Sequence, residues 1–442
     1  MATTYIHLSD IHFGQEKGGT VVTHNDVKAR LIDDVRKVTG TLPEPRVDGV
    51  IISGDIAYAG KSDEYADAAR WLDQLAAAAG CPITAIQVVP GNHDVDRTRV
   101  SHIIGQTLRN IADQGEQELD RVLVAPEDRE MFYARFDGYR PFGEGYGCPL
   151  DFEGGNAGAR TVELAPNRVL RFIGLNTALI CGALKDEEGK LLLGARQRVL
   201  PITAGEELVL IAHHPLSWLQ DSDDARRYVR NRARVLITGH EHNPSARVEA
   251  VRDGCDVLML AAGATIPPHA DERYTYTYNF LQFSWESPTD NLKVTVQPRA
   301  WSDEDKEFVA DTERLGGPTV EYVLGCPNFR RMAPPVTTPL ERRDTASAGS
   351  SPINVPHVDP DTTTDARGTP PVDDQFAIMR LRFFRDLSPA KRMEVLVRLG
   401  ALPEDWTEAL THPIEKRALD KLRKSGRLDE LERAIDEVQN KP

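Results

Sequence analysis

Gly91-Asn92-His93-Asp94 directly follows the apolar run Ile86–Pro90, and this pairing of a strand-like run with a turn of polar residues decides how the chain reads. The pairing recurs. Upstream, Thr3–Leu8 leads into Ser9-Asp10-Ile11-His12, and Gly49–Ile52 leads into Ser53-Gly54-Asp55. Downstream, Leu208–Ala212 leads into His213-His214-Pro215, and Val235–Thr238 into Gly239-His240-Glu241-His242. Helical periodicity fills the early gaps. One helix runs from about Asn25, with Val27, Leu31, Val35 and Val38 on one face and Gly40 as its stop. A second is capped by Ser62 and closes at Gly80. Strands alternating with helices argue for the α/β class, in which ligands gather outside the carboxyl ends of strands.

Working outward, Ile83–Val89 forms the third strand, and the segment at about 97–146 reads as a helical insertion with aromatics at Phe132, Tyr133, Phe136, Tyr139 and Phe142. Strands resume at Val169–Leu175. Val257–Ala262, Phe280–Trp285 and Leu292–Gln297 then follow one another without helices, which predicts antiparallel completion: two packed mixed sheets flanked by helices over residues 1–332. Between 333 and 373, Pro, Thr, Ser, Gly and Asp replace the large apolar residues, the composition of a disordered linker. Beyond it, residues 374–442 read as a small all-α bundle. Phe376, Met379, Phe383 and Leu387 share a face, Ser388-Pro389 starts a helix, Gly400 ends it, and Trp406–Leu410 and Ile414–Val438 add further helices.

The formal net charge is -15, which sets the surface as a whole against nucleic acid and anionic membranes. Ala225–Arg234 runs against that trend with Arg226, Arg227, Arg230, Arg232 and Arg234, a solvated helix face or a phosphate-binding strip. Tyr274, Tyr276 and Tyr278 offer the same choice between cross-strand packing and stacking on a base. The five cysteines are odd in number and contain no C-x-x-C pair, as expected of reduced thiols in the cytoplasm. No apolar run approaches the roughly 20 residues of a membrane helix.

Collected from the strand ends, Asp10, His12, Asp55, Asn92, His213, His240 and His242 comprise carboxylates, imidazoles and one amide. Such a mixed set suits two borderline divalent cations, and a shared carboxylate can bridge ions roughly 3.5–4 Å apart. Residues separated by one position, as in Asp10/His12 and His240/His242, project to one side of an extended segment, so each pair is expected to aim at one place.

The ordered set Asp10-Ile11-His12, Gly54-Asp55, Gly91-Asn92-His93-Asp94, His213 and Gly239-His240-Glu241-His242 resembles the signature of the calcineurin-like metallophosphoesterases over about residues 1–300. The resemblance implies a four-layer α/β sandwich with a dinuclear Mn, Fe, Zn or Ni centre. By position, Asp10, His12 and His242 would hold one metal, Asn92, His213 and His240 the other, and Asp55 would bridge them; His214 would pack beside them. A hydroxide between the cations would attack phosphorus, with Asn92 and His93 contacting the phosphate and His93 acting as acid. Asp94 would either orient a histidine or bond the backbone of its turn.

Gly54-Asp55-Ile56-Ala57, with Gly60 and Glu64-Tyr65 after it, resembles the cyclic-nucleotide and small-diester branch; Tyr58-Ala59 stands where protein phosphatases have Asp and Arg. The segments Phe383–Pro389, Arg398-Leu399-Gly400 and Gly426–Leu431 are similar to death-fold-like effector-associated domains of bacterial conflict and signalling proteins. The expectation is a phosphodiesterase tethered to a partner-recruiting bundle. Its rivals are a nuclease effector of a conflict system and a signalling protein that binds metal without catalysis.

Overall fold

The computed structural model describes residues 2–16, 20–251, 256–267, 275–331, 372–408 and 410–439. It opens with β1 (Ala2–Leu8), α1 (Thr20–Thr39), β2 (Gly49–Ile52), α2 (Ser62–Ala79) and β3 (Ile86–Val88). The three strands pair in parallel and are almost wholly buried; β2 is an unbroken apolar run, while β1 and β3 also bury Thr3, Thr4, His7 and Gln87 among their apolar residues. α1 begins at Thr20, five residues before the expected start: its first turn carries Val21 and Val22, but these lie outside the buried stripe, which begins at His24 and Val27. Ser62 is the first residue of α2, and Lys61 holds the cap position, its N–H donated to Glu64 Oε2 at 2.9 Å. Ile83–Ala85 forms a 3₁₀ turn ahead of β3.

The insertion contains α3 (His102–Gln114), α4 (Glu116–Val124), α5 (Pro126–Tyr133) and α6 (Tyr139–Gly145). The second half of the fold follows: β4 (Ala159–Ala165), β5 (Arg168–Gly174), α7 (Ala195–Arg198), β6 (Glu206–Ile211), α8 (Ser222–Arg232), β7 (Ala233–Thr238), β8 (Ser245–Glu249) and β9 (Val257–Ala261). β10 (Thr277–Glu286), β11 (Asn291–Ser302), β12 (Glu307–Ala310) and β13 (Val320–Gly325) complete it.

One sheet has the order β12-β11-β10-β1-β2-β3, with β13 pairing the first half of β11 beside β12; the other runs β4-β5-β6-β7-β9-β8. Both are mixed. β10 lies antiparallel to β1, and β4 and β8 close the parallel set β5-β6-β7-β9 as antiparallel edges. The sheets pack face to face: the Phe172 ring of β5 lies 5.1 Å from Tyr5 of β1 and 5.6 Å from Phe283 of β10.

The tyrosines near β10 pack within the fold. Tyr278 donates its hydroxyl to Asp34 at 2.6 Å beside Arg299, and Tyr276 meets Trp301 edge-on; Tyr274 lies outside the described residues. The arginines of the basic segment are divided between two elements. Arg227 pairs with Asp224 on the surface of α8, Arg230 and Arg232 reach the carbonyls of Ala250 and Leu200, and Arg234 is buried in β7 against Glu207 at 3.2 Å. Among the described residues, Cys81, Cys148, Cys181 and Cys326 are free and buried. No helix among the described residues is long and apolar enough to cross a membrane.

Of the expected linker, 333–373, positions 333–371 lie outside the described residues, and its last two, Val372 and Asp373, open α9 (Val372–Leu381). A π-helical turn at Arg382–Asp386 leads to α10 (Pro389–Arg398), whose Ser388 Oγ accepts the Lys391 N–H at 3.3 Å. α11 (His412–Lys424) and α12 (Leu428–Gln439) complete a bundle around Phe383, Leu396, Leu419, Leu431 and Ile435. Trp406–Leu410 is not helical where described. Its indole donates to the Glu408 carbonyl two residues on, a turn contact.

The bundle sits against α6, where His412 Nε2 lies 3.1 Å from Glu144 Oε2. Burial pushes the imidazole down, but hydrogen bonds to Glu144 and Glu415 outweigh it and raise His412 above its usual 6.5. Burial pushes Glu144 up, yet His412 and Lys416 hold it below its usual 4.5. The raised histidine stabilises fully below 6.5 and loses its effect as pH rises through its folded value. The depressed carboxylate stabilises fully above 4.5 and loses its effect as pH falls through its folded value. The contact is therefore complete from 4.5 to 6.5, and the stability gap between wild type and His412→Gln in thermal melts should narrow from pH 6.5 to pH 9. An unchanged gap at alkaline pH would remove His412 from the contact's energetics.

Candidate metal centre

Every polar turn singled out in the sequence lies at the carboxyl end of a parallel strand, and the two sheets bring these ends together. Asp10 and His12 follow β1, Asp55 follows β2, Asn92 and His93 follow β3, His213 follows β6, and His240 and His242 follow β7. The expected alternation along an extended segment is not how the pairs converge. Asp10, His12, Asp55, His240 and His242 have φ of 53°, 54°, 52°, 73° and 55°, so each is in the left-handed region. Such backbone is uncommon outside glycine and concentrates where a site over-determines it. Neighbours leave no room for more atoms: a Cβ on Gly91 would lie 2.1 Å from Asp55 Oδ1.

One oxygen is common to two imidazoles. Asp55 Oδ2 lies 3.3 Å from His12 Nε2 and 3.3 Å from His213 Nε2, while Oδ1 accepts the His93 N–H at 2.8 Å. His213 Nε2 is also 3.1 Å from Asn92 Oδ1 and 3.2 Å from His240 Nδ1. On the other side, His242 Nε2 lies 3.2 Å from Asp10 Oδ1. Asp10 Oδ2 accepts from Ser9 Oγ at 2.5 Å and from the His240 N–H at 3.1 Å. Asp10, His12 and His242 form one donor cluster; His213, His214 and His240 form another; and Asp55 groups with both His213 and His12.

The far sides of the rings fix what these contacts mean. His12 Nδ1 is held by the Ile266 carbonyl at 3.2 Å and His213 Nδ1 by the Ser53 carbonyl at 2.9 Å, both of which can only accept. Each neutral ring therefore carries its proton on Nδ1 and turns an Nε2 lone pair toward the Asp55 carboxylate. Lone pairs facing lone pairs at about 3 Å call for a positive charge between them, a further proton or a metal ion. The protonation energetics repeat the point. Burial pushes His213 down, but the charge of Asp55 and a hydrogen bond to it lift it to about 9. Burial pushes Asp55 and Asp10 up, and the surrounding histidines hold both well below the usual carboxylate range. Burial and the charge of His213 take His240 down to about 4, so it stays neutral and ready to ligate. Imidazole, carboxylate and amide donors in this disposition fit borderline divalent cations.

The neighbouring residues divide into those that reach this cluster and those that brace it. His93 Nδ1 is 2.8 Å from the Tyr58 carbonyl, and the Tyr58 ring stacks on it with centroids 5.1 Å apart. Asp94 takes the backbone alternative left open by the sequence. Its oxygens accept from the N–H groups of Ile56, Ala57 and Gly91 and from Tyr65 OH at 2.8 Å, and among the described residues it bonds no histidine. His214 is fully buried, with Nδ1 at 2.9 Å from Thr177 Oγ1 and its ring centroid 4.5 Å from that of His240. Ser9, Tyr65, Thr177 and the two carbonyls are supports the sequence did not single out. Ser9, Ser53 and Tyr65 stood in the quoted motifs without a supporting role; Thr177 and the Ile266 carbonyl are visible only through long-range contact.

Residues 3–244 match the family model described as calcineurin-like phosphoesterase, and residues 375–437 that of the GTPase-associated adaptor domain. The chain is similar to an uncharacterized metallophosphoesterase-like protein of Bacillus subtilis, YydB, at 24% identity over 321 residues, 69% of this chain. It spans 61% of that relative's length. Among solved structures it is similar to a single mutant of Vps29 from Entamoeba histolytica, with 11% identity, 72% of this chain and 99% of that one covered, and a TM-score of 0.31. It is also similar to the purple acid phosphatase PPD1 of yellow lupin, with 12% identity, coverage of 70% and 53%, and a TM-score of 0.35.

Proposed function

Because the chain belongs to the calcineurin-like phosphoesterase family, we propose that it is a two-metal phosphodiesterase acting on small diesters such as cyclic nucleotides. The observation that carries this reading is the single Asp55 oxygen placed 3.3 Å from an imidazole nitrogen of each donor cluster. Asp10, His12 and His242 would hold one divalent cation, Asn92, His213 and His240 the other, and Asp55 would serve both; Mn, Fe, Zn and Ni all suit these donors. Such a pair, when bound, supplies an acidified water and offsets negative charge on the phosphoryl oxygens.

The remaining chemistry belongs to the chain. Tyr58 fixes Nδ1 of His93, which leaves Nε2 to protonate the departing oxygen. The negative charge of a bound phosphodiester favours the imidazolium needed for that step. Asp94 holds the turns of Asp55 and Asn92 together from behind. The buried free thiols accord with work in the cytoplasm. The adaptor-domain match supports recruitment to a protein partner, and its description extends the proposal to a partner associated with a GTPase.

The test is a comparison of substrates with added Mn. Higher kcat/KM on bis(p-nitrophenyl) phosphate than on p-nitrophenyl phosphate, with turnover of a cyclic nucleotide, supports the diesterase. Preference for the monoester would overturn it. Salt separates the nuclease reading: nucleic-acid binding through 6–10 phosphate contacts would lose about 10³-fold or more between 50 and 200 mM salt, and small-diester turnover would not.

A further inference from the structure

The C-terminal bundle is seated on α2 and α6 by partly buried polar contacts. Arg385, with its side chain 6% exposed, donates to both carboxylate oxygens of Asp73 on α2 at 2.6 and 3.1 Å, and to Tyr146 OH at 3.0 Å. Glu144 at the end of α6 receives His412 and has Lys416 Nζ at 3.6 Å. Gly147 lies so close to Arg380 that a Cβ there would come within 2.2 Å of the guanidinium, and Leu381 enters the main apolar core.

The two helices beneath this contact also pack toward the turns that carry the metal centre, and they do so through Tyr65. On α2, the Tyr65 ring packs against Phe142 and Tyr139 of α6 at 5.1 and 6.0 Å. Just before α6, Gly138 meets the turn that follows Asp55; a Cβ on Gly138 would lie 2.2 Å from the Gly60 carbonyl oxygen. The Tyr65 hydroxyl then reaches Asp94, which accepts the amides of Ile56, Ala57 and Gly91. Those amides immediately flank Asp55 and Asn92.

We infer that the bundle is part of the support of the metal centre, with Arg385 and Tyr65 as positioning residues. Docking fixes α2 and α6, Tyr65 fixes Asp94, and Asp94 sets the spacing of the Asp55 and Asn92 turns. The inference rests on the metal reading above. Its consequence is a linkage between recruitment and chemistry: a partner that draws the bundle off α2 weakens metal binding. By reciprocity, metal loading tightens docking by the same factor.

The experiment uses the full chain. Mn affinity is measured by titration calorimetry and compactness by small-angle scattering for wild type, Arg385→Glu, Asp73→Arg, the double charge swap and Tyr65→Phe. Arg385→Glu should expand the chain and weaken Mn binding about tenfold, the lower end of the cost of losing a group that orients a ligand. The swap should restore both, which a folding defect would not. Tyr65→Phe, which removes only the hydroxyl, should weaken Mn binding to a similar degree without expansion. Unchanged Mn affinity in Arg385→Glu, expanded or compact, overturns the inference, as does unchanged affinity in Tyr65→Phe. Because the readout is metal binding, a chain inactive on diesters would fail the functional reading and still decide this one.

Discussion

Asp55→Ala should lower turnover of bis(p-nitrophenyl) phosphate by at least about 10²–10³-fold, the scale of losing one preorganised electrostatic stabiliser, and lower the metal bound per chain. Three contacts end on this side chain. Oδ2 is shared by His12 and His213 at 3.3 Å, and Oδ1 holds the His93 backbone at 2.8 Å. Its removal also takes away the charge that lifts His213 to about 9 against burial, so neither proton nor cation keeps its hold there. Asn92→Ala removes one neutral oxygen, 3.1 Å from His213, and should cost turnover comparably but metal content less. Asp55→Asn separates the roles of this residue: an amide oxygen can still accept the His93 N–H, while the charge is gone. Metal content per chain and turnover, both measured on folded protein, check the prediction. Wild-type turnover in Asp55→Ala would sink the two-metal reading outright, and loss confined to metal content would show that one cation suffices.

What the sequence made legible was which polar residues converge, because the candidate ligands sit in short turns right after buried strands, where letter and position coincide. The manner of convergence was hidden. Asp10 and His12 look like an alternating strand pair, yet both adopt left-handed φ, a conformation that no residue-type pattern announces. An edge strand was lost as well: Ser245–Glu249 is half exposed, and with only Ala246 and Val248 apolar it does not stand out from a loop. The supports of the site were less legible still. Tyr65 braces Asp94 across 29 residues, and Arg385 reaches Asp73 across 312, separations over which sequence periodicity carries no information. Asp94 was ambiguous for want of a single fact, the direction of its carboxylate.

Leaving-group dependence gives the sharpest test of His93. His93→Ala should cost about 10²–10⁴-fold on a diester with an alkoxide leaving group, such as a cyclic nucleotide, the usual worth of a positioned proton donor. On bis(p-nitrophenyl) phosphate the loss should be far smaller, since nitrophenolate departs readily without a proton. The argument rests on the ring's tether. Nδ1 is fixed on the Tyr58 carbonyl at 2.8 Å and the ring is stacked on the tyrosine, so Nε2 is presented in one orientation. His93→Gln keeps bulk and hydrogen bonding but supplies no acid, so it should resemble alanine on the cyclic substrate. The backbone N–H of His93 still reaches Asp55 in either variant, so metal content should hold, unlike in Asp55→Ala. Equal losses on both substrates would mean that His93 binds the phosphate in the transition state and gives no proton to the leaving oxygen.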